Sequence, residues 1–265
     1  MTCLRAALLS AICVGLGCGD GGGFPADAGG EAPPPGGTLS LTWSLTDTNG
    51  NPILCDQVGG VTVTALLHNR AFQGGTTEVF SCNTGAGTTP PQPPGIYDIQ
   101  FELTGVTGLI TTAPSQLGIE VKSLQNSVVA PLAFAVNAVG GLSLTIDAQK
   151  AGGNCASVAS GGAGITAMTI TLQHLNGGAC EPATLMIGTT PYTIDCTTPV
   201  ETPCFEATTT VTAANLPSDS YQIHVRGKQN AAICYINDDS IRVPPNGTTL
   251  QRALNLSATG AATCI

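Results

Sequence analysis

The chain contains few charged residues, few aromatic residues and no long apolar run. Only 9% of its 265 residues are charged, 4% are aromatic, and the formal net charge is −9. The eight basic residues are scattered, so the sequence does not favour binding to nucleic acid, whose phosphates require a basic surface. The apolar stretch at residues 6–16 is shorter than the roughly 20 residues that cross a bilayer as a helix.

The recurring motifs of hydrolases and metal sites are also missing. The sequence has no G-x-S-x-G, no H-E-x-x-H and no C-x-x-C. We expect His68, His174 and His224 to be surface imidazoles, with His224 on the polar face of its strand. Residues 47–51 lack the later acidic ligand of a calcium loop, and Asn49-Gly50 is typical of a hairpin turn. The sequence therefore predicts no enzyme activity, no metal and no cofactor.

The N-terminus has the layout of an export signal. One basic residue, Arg5, precedes the apolar stretch, which ends at Gly17-Cys18. This layout resembles a bacterial lipoprotein signal, in which a small residue precedes the cysteine that becomes the lipidated N-terminus. That family prefers leucine three positions before the cysteine, where this chain has Gly15. The resemblance implies a signal peptide over residues 1–17 and lipidation of Cys18, and ordinary secretion is the alternative.

Lipidation of Cys18 implies a location in the bacterial cell envelope. We expect an outer-membrane anchor with the protein facing the periplasm or the cell surface, because several acyl chains hold a protein firmly to a bilayer. Without the lipid, the protein would be secreted. Residues 18–37 comprise this cysteine and a Gly- and Pro-rich linker, which cannot bury an apolar face. We expect the linker to be mobile, with a mean reach of about 20 Å.

The rest of the chain has the alternating apolar and polar residues of β-strands, and the order of these strands occurs twice. Leu39, Leu41, Trp43 and Leu45 alternate with polar residues, and Leu142, Leu144 and Ile146 do so about 100 residues later. Further landmarks follow in the same order in both halves: Cys55 and Cys155, Cys82 and Cys196, Tyr97 and Tyr221, Leu132 and Leu254. We predict an all-β protein with two tandem antiparallel β-sandwiches of about seven strands each, over residues 38–137 and 138–265.

Aromatic residues are expected in the core of these sandwiches. Trp43 and Tyr97 share the apolar phase of their strands, which argues against a sugar-stacking platform. The hydroxyls of Tyr97 and Tyr221 can bond to a nearby backbone group, as in a tyrosine corner.

The first half also carries turn motifs of a known family. Asp47, Gly50 and Pro52 fit a D-x-x-G-x-P turn, and Pro94-Gly95-Ile96-Tyr97 fits a P-G-x-Y strand entry. This pattern resembles the carboxypeptidase-regulatory-like, or prealbumin-like, sandwiches, which are Ig-like. The resemblance implies a non-catalytic surface or periplasmic module with a structural or adhesive role. Such a role implies a protein or glycan partner on the cell surface, which the sequence does not identify.

The cysteines predict disulfides. Cys3 and Cys13 belong to the signal and Cys18 to the lipid, which leaves an even number in the folded part. We expect a Cys55–Cys82 bridge and, from the repeat, a Cys155–Cys196 bridge. Four cysteines then have three possible connectivities, of which strand directions favour Cys204–Cys234 and Cys180–Cys264.

The loops that carry these additional cysteines are longer than their counterparts in the first half. Such loops could form a recognition surface, so a carbohydrate- or other ligand-binding lipoprotein is the alternative function. In the other interpretation, the bridges only stabilise insertions.

Overall fold

The structure is a computed structural model that describes residues 34–264. The predicted signal peptide at 1–17, the predicted lipidation site Cys18 and the linker up to residue 33 lie outside the described residues. The regular secondary structure of the described part is almost entirely β-strand, which confirms the predicted all-β class. Its one α-helix, α1 (Cys55–Val58), has four residues, and no helix in this part has the length and apolar character to cross a membrane.

The first half contains nine strands. They are β1 (Thr38–Asp47), β2 (Pro52–Ile53), β3 (Gly60–Asn69), β4 (Thr76–Ser81), β5 (Ala86–Thr88), β6 (Gly95–Gly105), β7 (Gly108–Val121), β8 (Asn126–Val128) and β9 (Leu132–Val136). A 3-10 helix, Cys82–Thr84, follows β4. One sheet is built around β1, which pairs with β2, β5, β8 and β9, and the facing sheet has the order β4-β3-β6-β7.

The second half contains ten strands. They are β10 (Val139–Asp147), β11 (Ala167–His174), β12 (Ala183–Ile187), β13 (Thr190–Ile194), β14 (Thr202–Pro203), β15 (Val211–Pro217), β16 (Ser220–Gln229), β17 (Ala232–Arg242), β18 (Thr249–Asn255) and β19 (Ser257–Ala258). A second 3-10 helix is Val158–Ser160. The two sheets have the orders β13-β12-β15-β10-β18 and β14-β11-β16-β17-β19.

The two halves share one topology. In each, the first strand pairs antiparallel with a middle strand, β1 with β5 and β10 with β15. The facing sheet is centred on the antiparallel trios β3-β6-β7 and β11-β16-β17. Each half has its own hydrophobic core between its two sheets, as expected for a β-sandwich.

The sheets are not purely antiparallel. The last long strand of each half pairs in parallel with the first strand, β9 with β1 and β18 with β10. Because the last long strand runs parallel to the first, both strands finish at the same end of the sandwich. The chain therefore enters each sandwich at one end and leaves it at the other, and β10 begins three residues after β9 ends.

Contacts between the halves follow from this end-to-end arrangement. The Arg242 guanidinium, at the end of β17, donates a hydrogen bond to the carbonyl of Asp56 in α1. Asn246 Nδ2 donates to the carbonyl of Ile110 at 2.9 Å, close to the β6–β7 turn. Gly59 lies against the guanidinium with a left-handed φ of 70°, and a Cβ there would be 2.7 Å from Arg242 Nε.

Trp43, Tyr97 and Tyr221 lie where the sequence predicts. Trp43 is buried, and its Nε1 donates to the carbonyl of Cys82 at 2.8 Å. Tyr97 and Tyr221 are buried, and each hydroxyl donates to the carbonyl four residues earlier, Pro93 at 2.8 Å and Pro217 at 2.9 Å. The recurrence of this tyrosine corner shows that the two halves share local detail as well as topology.

Four disulfides join the eight cysteines of the described residues. They are Cys55–Cys82, Cys155–Cys204, Cys180–Cys196 and Cys234–Cys264. The first bridge is the pair that the sequence predicts. The expected Cys155–Cys196 bridge is wrong, and so are the favoured Cys204–Cys234 and Cys180–Cys264 bridges.

An inserted hairpin explains the error. The hairpin β12-β13 has no counterpart in the first half and pairs with β15, in the sheet opposite β11. Cys180 and Cys196 flank this hairpin and bond across its open end. The counterpart of Cys82 is instead Cys204. The end of β4 pairs with the beginning of β3, as β14 pairs with the beginning of β11, and each is followed by the bridged cysteine. One bridge does occur twice, with Cys204 as the partner of Cys155.

We predict that the Cys55–Cys82 bridge stabilises the first sandwich selectively. The double variant C55A/C82A should lower its free energy of unfolding by about 3.5 kcal/mol, because the unfolded chain regains the entropy of an open loop. Trp43 is the only tryptophan and lies in the first sandwich, so its fluorescence during urea unfolding reports this half. The control C180A/C196A, in the second sandwich, should leave the urea midpoint of the Trp43 fluorescence transition unchanged. An unchanged transition in C55A/C82A would contradict the prediction.

Candidate functional site

The end of the second sandwich that lies away from the first is crosslinked twice. We call it the stapled end, and it consists of residues 148–166, 204–210, 229–232 and 256–264. Cys155–Cys204 joins the first two segments, and Cys234–Cys264 joins the start of β17 to the C-terminal segment. The sequence correctly places Cys204 and Cys234 at the end of the Cys155 bridge, although their partners differ from those expected. The Cys180–Cys196 disulfide lies at the opposite end of the second sandwich. There the backbone of Cys180 pairs with that of Gln173, near the end of β11, as an isolated antiparallel β-bridge.

Asn154 organises the longest loop of the stapled end. Its side chain is fully buried and makes three hydrogen bonds: Oδ1 accepts from the Ala148 amide, and Nδ2 donates to the carbonyls of Ile146 and Phe205. The Glu206 carboxylate accepts from the amides of Asn154 at 2.7 Å and Cys155 at 3.2 Å. Buried polar groups that are satisfied in this way hold a loop in one conformation. The loop at 148–166 is therefore a rigid part of the sandwich.

The stapled end contains one shallow cavity between the C-terminal segment and the loop. Its volume is about 280 Å³, and Lys150, Gln229, Tyr235 and Ala258 contribute to its lining. Tyr235 is only 6% exposed, so its ring offers little surface for stacking. None of the described residues that line this cavity is Asp or Glu. Its lining therefore lacks the aromatic platform and the acidic groups that a sugar- or cation-binding pocket would need.

His174 is not the free surface imidazole that the sequence predicts. It ends β11, and its ring lies between two carboxylates: Nδ1 is 2.7 Å from Asp219 Oδ2, and Nε2 is 2.8 Å from Glu181 Oε2. The side chains of Asp219 and Glu181 are 11% and 16% exposed, and the Tyr221 ring packs 4.8 Å from the imidazole. The sequence gives no signal for this cluster, because its members come from a strand end and two separate turns.

Charge in this cluster changes two pKa values. Partial burial opposes protonation of His174, but the hydrogen bonds that Asp219 and Glu181 accept from its ring outweigh it and raise the pKa of His174 above its usual 6.5. Burial, together with the two nearby carboxylates, raises the pKa of Tyr221. Both ring nitrogens face carboxylates, and this arrangement stabilises the doubly protonated imidazolium relative to the neutral ring.

A second histidine lies in an ion-pair network on the polar face of β16, where the sequence places it. His224 Nδ1 is 2.5 Å from Asp238 Oδ1 on β17, and Arg226 Nη2 is 2.6 Å from the same oxygen. Burial tends to raise the pKa of Asp238, but its bonds to His224 and Arg226 lower it overall. His224 Nε2 contacts Gln173 Oε1 at 3.3 Å. Both ring nitrogens of His224 are therefore occupied.

Neither histidine is arranged for catalysis. A general base needs a free ring nitrogen near a nucleophile, and both nitrogens of His174 and of His224 already have side-chain partners. Across residues 34–264, no three His, Cys, Asp or Glu side chains are grouped so that they could hold a metal ion. These clusters fit structural ion pairs better than a reaction centre.

The segment that resembles a calcium loop is a turn. Asp47 Oδ1 accepts hydrogen bonds from the amides of Asn49 and Asn51, both at 2.8 Å, and Asp47 Oδ2 accepts from Asn51 Nδ2. These bonds, above all those from Asn51, lower the pKa of Asp47. The carboxylate is thus used to close the turn between β1 and β2.

Comparisons with known proteins give no family. No protein-family model matches the chain, and no curated protein sequence matches it. The resemblance to carboxypeptidase-regulatory-like sandwiches therefore stays a prediction.

Solved structures show distant likenesses. One is the major pilin of Streptococcus pyogenes, with a TM-score of 0.25 and 11% identity over 82% of this chain and 99% of the pilin. Another is the shaft pilin of Lactobacillus rhamnosus GG, with a TM-score of 0.28 and 8% identity over 85% and 99%. A leucine-rich repeat protein of Bacteroides thetaiotaomicron has a TM-score of 0.25 and 11% identity. The alignment covers 84% of this chain but only 26% of that protein. Scores this low carry no argument about function.

We predict that the His174 cluster makes stability depend on pH. Because the pKa of His174 is raised in the folded state, its contribution is complete below the unfolded pKa of about 6.5 and is lost as pH rises through the folded pKa. The difference in unfolding free energy between the wild type and H174Q should therefore shrink as pH increases from 6 to 9. Urea unfolding at several pH values measures this difference. H68Q, in the first sandwich, is the control, and a difference that grows with pH would contradict the assignment.

Proposed function

We propose that the chain is an exported, lipid-anchored, non-catalytic module of a bacterial cell envelope, with a structural or adhesive role. The observation that carries this proposal is the oxidation of all eight cysteines in the described residues to four disulfides. Disulfides of this number form and persist outside the cytosol. The export-signal layout that ends at Cys18 supports the same compartment and supplies an anchor.

The direction of the strands supports a display role. The described chain starts beside the beginning of β1, at the end of the first sandwich that lies away from the second. Because both sandwiches are crossed from one end to the other, the stapled end lies at the far end of the tandem. A lipid on Cys18 would anchor the protein through the segment that precedes β1 in the chain. Two sandwiches in series suit a spacer or an adhesive module.

The chemistry of the surface supports a role without catalysis. In residues 34–264 both histidine clusters are internally satisfied, and the cavity at the stapled end lacks a carboxylate and an exposed aromatic ring. A loop fixed by Asn154 and the Cys155–Cys204 disulfide can bind a protein or glycan partner by shape and hydrogen bonding.

The anchor is tested by replacing Cys18 with serine in the full chain. Bacteria that export the wild type should carry it in the membrane fraction, and detergent should release it, because its acyl chains partition into the bilayer. C18S should appear in the soluble fraction or the medium. C13S is the matched control, because position 13 would leave with the signal peptide, and it should stay in the membrane fraction.

Mass spectrometry of the purified mature protein gives the second readout. We expect a chain that begins at residue 18 and carries the mass of acyl chains. A soluble wild-type protein whose mature N-terminus is another residue would contradict the lipid anchor but leave the export proposal intact.

A further inference from the structure

The connector between the two sandwiches, residues 137–139, is fixed by backbone hydrogen bonds. Val136, just before it, ends β9 and pairs with Asp47 of β1. The carbonyls of the three connector residues accept hydrogen bonds at 2.8 to 2.9 Å from amides of the second sandwich, those of Asn246, Ser218 and Gly247. The chain thus passes directly from the ladder of one sandwich into the hydrogen bonds of the other. The angle between the sandwiches then depends on the contacts that flank this connector.

The end of the first sandwich that meets the connector has a close-packed patch. It consists of the carbonyls of Asp56 and Ile110 together with Gly59 and Gly105, and we call it the docking patch. A Cβ at Gly105 would be 2.4 Å from the Gly59 carbonyl oxygen and 3.1 Å from Ile110 Cδ1, so these residues lie in contact. Gly59 follows α1 directly, and its amide donates to the Asp56 carbonyl at 3.4 Å. The docking patch is therefore one continuous surface.

The second sandwich donates two side-chain hydrogen bonds to the docking patch. Arg242 Nη2 donates to the Asp56 carbonyl, and Arg242 Nη1 donates to Ser220 Oγ of its own sandwich at 2.9 Å. Four residues later, Asn246 Nδ2 donates to the Ile110 carbonyl at 2.9 Å. A guanidinium is planar and its donors have fixed directions, so bonds from both of its ends orient Asp56 relative to Ser220. Hydrogen bonds from a charged donor are also stronger than those from a neutral one.

The acceptor of the Arg242 bond is itself held in place. Asp56 lies in α1, and the Cys55–Cys82 disulfide ties the first residue of this helix to the residue that follows β4. Asn83 Nδ2 also donates to Asp56 Oδ1 at 3.1 Å. The hydrogen bond from Arg242 therefore connects two fixed positions, one in each sandwich.

Arg242 is not part of the pattern that the two sandwiches share. Strand pairing gives the equivalent positions, with Tyr97 opposite Ile119 in the first half and Tyr221 opposite Ile241 in the second. The first-half residue equivalent to Arg242 is therefore Glu120, at the end away from the second sandwich. Its side chain carries the opposite charge and is 62% exposed. An arginine that the common fold required would occur in both halves, so this difference favours a role for Arg242 at the junction.

We propose that Arg242 and Asn246 form a latch that holds the two sandwiches at one fixed angle, so that the tandem behaves as a single rigid body. Without such contacts, a small polar interface between domains leaves them free to move relative to each other. This inference deepens the spacer role proposed above, because a rigid tandem keeps its two ends at a constant separation. It does not depend on the lipid anchor or on the identity of a partner.

Residual dipolar couplings of backbone amides measure the angle and the motion between the two sandwiches. The exported C18S chain is the reference, so the measurement does not depend on the proposed anchor. We expect one alignment tensor to fit the couplings of both sandwiches, because a rigid body aligns as a whole. In R242A/N246D, which removes both donors, the two sandwiches should require different tensors. Aspartate tolerates the left-handed φ of 63° at position 246, so the turn itself is kept.

The matched control is R252A/N230D, which makes the same two changes away from the junction. Arg252 is paired with Asp239 within the second sandwich, and Asn230 has a left-handed φ of 54° in the β16–β17 turn. This control should keep the single tensor. Two tensors in the reference chain would overturn the proposal, and so would one unchanged tensor in R242A/N246D.

R242K is the second variant, for the case in which the double variant does not fold. Backbone chemical shifts within each sandwich show whether a variant is folded. Lysine keeps the positive charge but loses the planar fork that joins Ser220 to Asp56, so the two sandwiches should require different tensors in R242K as well. A single unchanged tensor in a folded R242K would then overturn the proposal.

Discussion

The parallel pairing of the first and last long strands in each half fixes the rest of the architecture. Once β9 lies beside β1, and β18 beside β10, a chain that enters one end of a sandwich must leave at the other. The second copy then continues from the first in the same direction, and the Arg242 contact with α1 occurs where the two ends meet. The stapled end and the start of β1 lie at opposite ends of the tandem for the same reason, so this arrangement follows from a pairing within each sandwich.

The disulfides crosslink the loops and strand ends of the two sandwiches. One bridge recurs, Cys55–Cys82 and Cys155–Cys204, and ties the segment after the first strand to the edge of the facing sheet. The other two secure additions that only the second half has: the β12-β13 hairpin and the C-terminal segment. The second half is thus the first half with insertions, each crosslinked where it leaves the shared core. Crosslinks of this kind suit an exported protein that must keep long loops rigid without a large added core.

Much of this could be predicted from residue order. Alternation placed Leu39, Trp43 and Tyr97 inside, and the repeat identified two related sandwiches with a tyrosine corner in each. The predicted disulfide pairing of the second half is wrong because order along the chain does not show which sheet a strand joins. Strand β13 joins the sheet opposite the one assumed. Gly188-Thr189 between two alternating runs was the available signal for that hairpin. The His174 cluster could not be predicted, because Asp219 and Glu181 approach the ring only through tertiary folding.

The account is tested most directly by backbone NOEs in the mature protein. Parallel pairing predicts short proton–proton distances between Trp43 and Leu132 and, in the second copy, between Leu142 and Leu250, with both residue numbers rising together along each pair of strands. Observation of this pattern in both halves would establish that each sandwich is entered at one end and left at the other. NOEs that run in the antiparallel sense, or a last strand without contacts to the first, would contradict the shared topology and the end-to-end order derived from it.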